Sequence, residues 1–129
     1  MDEQTPTTDQ PIQVERVEDF VAGYANNIQF EPSAWDLKIV FGELNQARGK
    51  LTIEQHTSMT VSWAEAKMLS YYLQIQIAAY ELQNGKIQLP KSVLPPEAAP
   101  VPADAQDKET AEILRQMVIK MREEFLANI

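Results

Sequence analysis

Between Tyr24 and Val61 apolar and polar residues alternate along the chain. In YANNIQF, Tyr24, Asn26, Ile28 and Phe30 share one parity, and Ala25, Asn27 and Gln29 share the other. EPSA interrupts the run, since Pro32 has no amide to give to a ladder. Trp35, Leu37, Ile39 and Phe41 then alternate with Asp36 and Lys38, and Val40 is an apolar exception on the outer side. LNQARGK reads as a turn, with Gly49 its residue of positive φ. A third run places Leu51, Ile53, Met59 and Val61 on one side and Thr52, Glu54, His56, Ser58, Thr60 and Ser62 on the other. Alternation of period two over three consecutive runs predicts a three-stranded antiparallel meander with one wet face.

The period then changes to that of a helix. Ser62 and Glu65 have the spacing of a capping box, in which a hydroxyl and a carboxylate each take an orphan amide. The helix that follows carries two apolar tracks: Ala66, Leu69, Leu73, Ile77 and Tyr80, and Met68, Tyr72, Ile75, Ala79 and Leu82. Asn84 and Gly85 end it. Covering a sheet takes one stripe. The second track therefore calls for a second surface.

Outside this block the pattern is weaker. Residues 1–11 read as a disordered acidic tail. Val14, Val17 and Phe20 have roughly helical spacing and predict a short helix before Gly23. Residues 90–106 hold Pro90, Pro95, Pro96, Pro100 and Pro102 and are expected to form an extended linker. Residues 107–129 are helical again, with Leu114, Met117 or Val118, Met121 and Phe125 on one stripe and Glu112 three residues before Arg115. The expected organisation is thus an α+β protein, with a β-β-β-α domain over residues 12–89 followed by linker and amphipathic helix.

Composition narrows the function. With 11 basic and 19 acidic residues the net charge is −8, which repels phosphate backbones and anionic membranes, so nucleic-acid and membrane partners are not expected. There is no cysteine, which removes disulfides, thiolate catalysis and cysteine zinc sites. The acidic start lacks the basic and apolar regions of a secretory signal, and a cytoplasmic location is expected. For a core of this size, burial and ordering entropy nearly cancel, and a three-stranded sheet leaves two raw edges. A symmetric homodimer is expected, with the track Met68, Tyr72, Ile75, Ala79 and Leu82, or a sheet edge, meeting its twin. The competing arrangement has the C-terminal helix folding back over that track.

YANNIQF, Ser33, WDLKIVF, MTVSWAEAK and Tyr80–Glu81, taken together, resemble the short bacterial and archaeal proteins of the family called domain of unknown function 3467. The resemblance covers Tyr24 to Glu81. Ser62, Trp63 and Glu65 stand where that family often has Thr-Pro and a His before Ala-Lys, and Val40 where it has an acidic residue. The resemblance implies a strand–strand–strand–helix unit and no activity.

Candidate chemistry is sparse. His56, the single histidine, lies near Glu54, and with Asp36 on the same face it would offer a base or a metal ligand; a catalytic or metal role needs partners the sequence does not supply. Asn26 is read as bonding a backbone group at a bulge or helix end. Trp35 and Trp63 are read as core or interface packing. No cofactor, catalytic or metal residue is assigned. The expectation is a non-enzymatic, homo-oligomeric interaction module, with Leu114, Met117, Met121 and Phe125 docking on another protein. The alternatives are a chaperone-like binder of unfolded polypeptide and, least supported, an enzyme using His56 with carboxylates.

Overall fold

A computed structural model describes residues 11–47 and 49–129. The expected disordered tail over residues 1–11 lies, but for Pro11, outside the described residues. The elements are β1 (Asn27–Pro32), β2 (Asp36–Ala47), β3 (Lys50–Ser62), α1 (Trp63–Asn84), a 3-10 turn at Lys91–Val93, and α2 (Lys108–Ala127). The chain divides into two units, Met1–Ala66 and Lys67–Ile129.

In the first unit the strands form an antiparallel sheet in the order β1-β2-β3. Ser33 builds the first turn. Its hydroxyl accepts from the amides of Trp35 (3.2 Å) and Asp36 (3.1 Å), donates to Asp36 Oδ1 (2.9 Å), and its own amide bonds the Asp36 carbonyl. The Ser33 carbonyl accepts Trp63 Nε1–H at 2.9 Å, which ties this turn to the start of α1. The second hairpin closes on the pair Ala47–Lys50, and Gly49 takes φ 73°, as its place in the turn requires.

The central feature is a bulge. Phe41 pairs with Thr57 but Gly42 pairs with Gln55, so His56 is one residue too many on β3. Gly42 is buried here, and a Cβ on it would stand 2.8 Å from the Glu54 carbonyl oxygen. Only glycine admits this approach without displacing backbone. Asn26 finishes the bulge: its amide donates to the Gly42 carbonyl (3.1 Å) and its Oδ1 accepts from the Leu44 amide (2.7 Å). The bonding of a strand-entry asparagine to backbone beside a bulge agrees with the sequence reading.

One extra residue flips every later side chain to the other face. Pairing places Ile28, Phe30, Leu37, Ile39, Phe41, Met59 and Val61 on one face, and Val40, Leu44, Leu51 and Ile53 on the opposite one. Gln55 and Gln29 confirm the second face by bonding at 3.1 Å. The expectation that Leu51, Ile53, Met59 and Val61 share a side is therefore corrected, and the sheet has apolar residues on both faces. Among the described residues only Ile39 (6% exposed) and Val40 (8%) are buried apolar side chains. They are consecutive and point to opposite faces.

The short helix expected before Gly23 is absent. Residues 11–26 contain no helix or strand, only a turn in which the Phe20 amide bonds the Val17 carbonyl (3.0 Å) and Arg16 lies over the Phe20 ring (4.6 Å). The reason is twofold. Val14, Val17 and Val21 are β-branched and stiff against a preceding helical turn, and a segment this short does not repay helix nucleation without packing.

α1 begins at the expected cap: Ser62 Oγ accepts from the Glu65 amide at 3.1 Å. In the second unit it ends at Gly85, whose φ is 88° and whose amide bonds the Glu81 carbonyl (2.9 Å), while Glu81 Oε2 takes the next free amide, Ile87 (2.9 Å). The proline segment doubles back along α2. Arg122 Nε donates to the Pro95 carbonyl (3.0 Å), and Ala98 stands beside Arg115 and Ile119. The α2 residues that are not fully exposed, Ala111, Arg115, Ile119, Arg122 and Leu126, form one stripe at three- to four-residue spacing. α2 is capped by Asp107, which accepts from the amide and hydroxyl of Thr110 at 3.0 and 2.7 Å.

Replacing Gly42 by Ala is expected to destabilise the chain by about 1–3 kcal/mol in urea titration, because Cβ meets backbone and not a side chain that can turn away. An unchanged midpoint would show that the strand crossing is looser than this geometry.

Candidate interaction surfaces

α1 is apolar over most of its circumference. At about 100° per residue, Met68, Tyr72, Ile75, Ala79 and Leu82 cluster on one side and Leu69, Leu73, Ile77 and Tyr80 lie roughly 140° away. Tyr71 extends the first side and its ring meets Tyr72 in a tilted contact with centroids 5.6 Å apart. Lys67, Ser70, Gln74 and Glu81 form one narrow polar strip, and Gln76 and Gln83 a second between the two tracks. From Met68 to Tyr80 there is no charged residue. None of the helix is buried, and Leu82 is 88% exposed.

On α2 the expected docking residues Leu114, Met117, Met121 and Phe125 are all exposed. The proline segment covers the neighbouring stripe and leaves this one open. Met121 and Phe125 form the wall between two grooves. One, of about 910 Å³, is completed by Gln74, Ile77 and Glu81 of α1 with Ile87 and Leu89. The other, of about 770 Å³, runs between α2 and Val93, Pro95 and Pro96. Leu114 and Met117 line neither of these. The α1 residues of the first groove belong to the polar strip and its border, so the track Met68, Tyr72, Ile75, Ala79 and Leu82 faces away from it. The structure thus keeps the two expected surfaces apart. Ile87 and Leu89 were missed by periodicity, although their alternation before Pro90 is a two-residue trace of a wall.

The polar candidates make the following contacts. His56 Nε2 lies 2.8 Å from the Tyr24 carbonyl, which only accepts, so Nε2 carries a proton and donates; in the neutral ring Nδ1 accepts from the Thr57 hydroxyl at 2.8 Å. Nε2 holds the segment before β1 against the bulge, and Nδ1 fixes the ring to Thr57 of β3 itself. Asp36 pairs with Ser62, six residues along β3 from His56, or roughly 20 Å. It does not converge with Glu54 and His56. Among the described residues no three His, Asp or Glu side chains form a cluster suited to a metal. Trp63 is fixed by its bond to Ser33, whereas Trp35 is 84% exposed and packs in no core of a single chain. Glu112 and Arg115 form the expected i,i+3 pair at 3.6 Å. No described helix is long and apolar enough to cross a membrane.

The hydrogen bonds from Thr110, its hydroxyl first and then its amide, hold the Asp107 carboxyl below its ordinary value of 3.8. A folded-state value lowered in this way stabilises α2 above the ordinary value, and the contribution is lost as pH falls through the lower folded-state one. Circular dichroism is expected to show acid fraying of α2 that Asp107→Asn reduces, because Asn caps as well without titrating. Identical acid profiles for the two proteins would remove the cap from the account.

A family model described as "Protein of unknown function (DUF3467)" matches residues 1–89, the whole sheet and all of α1. No curated protein and no solved structure matches the chain.

Proposed function

We propose a function from the physics of the chain itself, since the chain belongs to the DUF3467 family and that family carries no assigned activity: it is a self-associating, non-enzymatic protein-interaction module. The observation that carries this reading is α1. A helix apolar on nearly all sides is stable only when covered. The large apolar side chains from Met68 to Leu82 leave on the order of 900 Å² of α1 open, as much as one side of a standard protein interface. The covering partner is a second copy. Copies carrying −8 each repel one another, and the uncharged stretch from Met68 to Tyr80 is where like meets like at the lowest electrostatic cost. The sheet edge is the poorer dimer seam, because the His56 bulge breaks β3 into two short straight runs.

The open stripe of α2 then serves a different protein. Leu114, Met117, Met121 and Phe125 present an adaptable methionine-rich surface held in place by the proline segment. A setting without disulfide chemistry, such as the cytoplasm, suits a chain with no cysteine. The two grooves beside Met121 and Phe125 favour a second reading, a chaperone-like binder of unfolded polypeptide.

Light scattering after size exclusion is expected to give twice the chain mass at micromolar concentration. Tyr72→Lys with Ile75→Lys is expected to weaken the dimer about 100-fold by burying like charges face to face. A monomeric parent protein ends this reading. For α2, alanine at Leu114, Met121 and Phe125 is expected to abolish capture of a native partner with the dimer intact. Suppression of aggregation of an unfolded test protein, reduced by alanine at Met121 and Phe125 of the groove wall but not at Leu114, would favour the chaperone reading.

A further inference from the structure

The first unit contains a segment outside the sheet and a sheet edge without a neighbour. Beyond Gly42, β1 no longer accompanies the hairpin, so Glu43–Ala47 of β2 and the facing part of Lys50–Gln55 of β3 stand as a two-stranded ribbon. Such a ribbon is marginal in water, and a third strand is what makes it independently stable. Its two edges differ. On the β2 side the Leu44 amide is already taken by Asn26 Oδ1. Among the described residues the β3 side has no neighbouring strand. Leu51 and Ile53, turned by the bulge to the Val40 face, are exposed beside it.

The same unit holds an unpaired segment of matching length. Ile12–Val17 is six residues, as is Lys50–Gln55, and Ile12 and Val14 alternate with Gln13 and Glu15. Val14 is 91% exposed, and Ile12 and Val17 are nearly as open. The root of this arm is fixed: a Cβ on Gly23 would meet His56 Cε1 at 3.6 Å, and the Tyr24 carbonyl is held by His56. Although rooted beside β3, the arm does not pair with the β3 of its own chain.

We infer that Ile12–Val17 of one copy adds as an outer strand to Lys50–Gln55 of a second copy, and that the exchange is reciprocal. This rests on the self-association proposed above and adds a second seam to it. The area suffices: the open apolar surface of Ile12 and Val14, with that of Leu51 and Ile53 which they meet, taken twice by symmetry, comes to on the order of 1,000 Å², the threshold of a specific interface. Charge does not oppose the pairing, since the arm (Glu15, Arg16) and the receiving strand (Lys50, Glu54) are each net neutral.

The absence of cysteine makes the test clean. Full-length protein carrying Val14→Cys is paired in turn with Leu51→Cys and with Ile53→Cys, light- and heavy-isotope copies are mixed, and disulfides are mapped by mass spectrometry. A disulfide joining light to heavy chains is expected. In parallel Val14→Lys, which touches no residue of the sheet, is expected to raise the dimer dissociation constant at least tenfold with the sheet signal in circular dichroism unchanged. A dimer that persists unweakened in Val14→Lys, with no disulfide between copies or only one within a chain, overturns the arm exchange and leaves the α1 seam standing. A monomeric parent protein overturns both.

Discussion

The close approach of Gly42 to the Glu54 carbonyl is the constraint on which the sheet depends. It admits one surplus residue, His56, into β3, and a surplus of one inverts the side-chain alternation beyond it. The chain then distributes its apolar residues over both faces of a thin layer. Two consecutive residues of β2, Ile39 and Val40, are buried, one on each side. Asn26, His56 and Thr57 make the side-chain bonds that hold this crossing.

A layer with apolar side chains on both faces cannot be sealed by one stripe of one helix. The same demand recurs in α1, whose apolar surface runs round most of its circumference, and in the open arm of residues 12–21. Hydrophobic surface of this extent is costly in water, and this cost is what supports the self-association proposed above. The absence of charge along the middle of α1 is the reason for proposing its seam there.

α2 follows a different logic. Its apolar stripe is narrow, its cap is an aspartate with a threonine three residues on, and the proline segment lies along one side of it through Arg122 and Pro95. Covering one stripe while leaving the adjacent one open is how a helix stays ordered and available at once.

Much of this was determined by the order of residues. Period-two runs from Tyr24 to Val61 specify three strands because alternate side chains must face alternate sides. Ser62 with Glu65, and Asn84 with Gly85, bound α1 because orphan amides and carbonyls need partners; Gly49 turns the hairpin because it alone takes φ 73° at no steric cost. Membership of the family was legible in the same motifs. What only the tertiary structure decided was the register. A bulge costs a single residue and leaves the alternation on each side of it intact, so nothing in LTIEQHTSMTVS announces that Leu51 and Met59 face opposite ways. The valines at 14, 17 and 21 have the spacing of a helix but the shape of a strand, and a segment that local propensity leaves undecided takes its conformation from whatever packs against it.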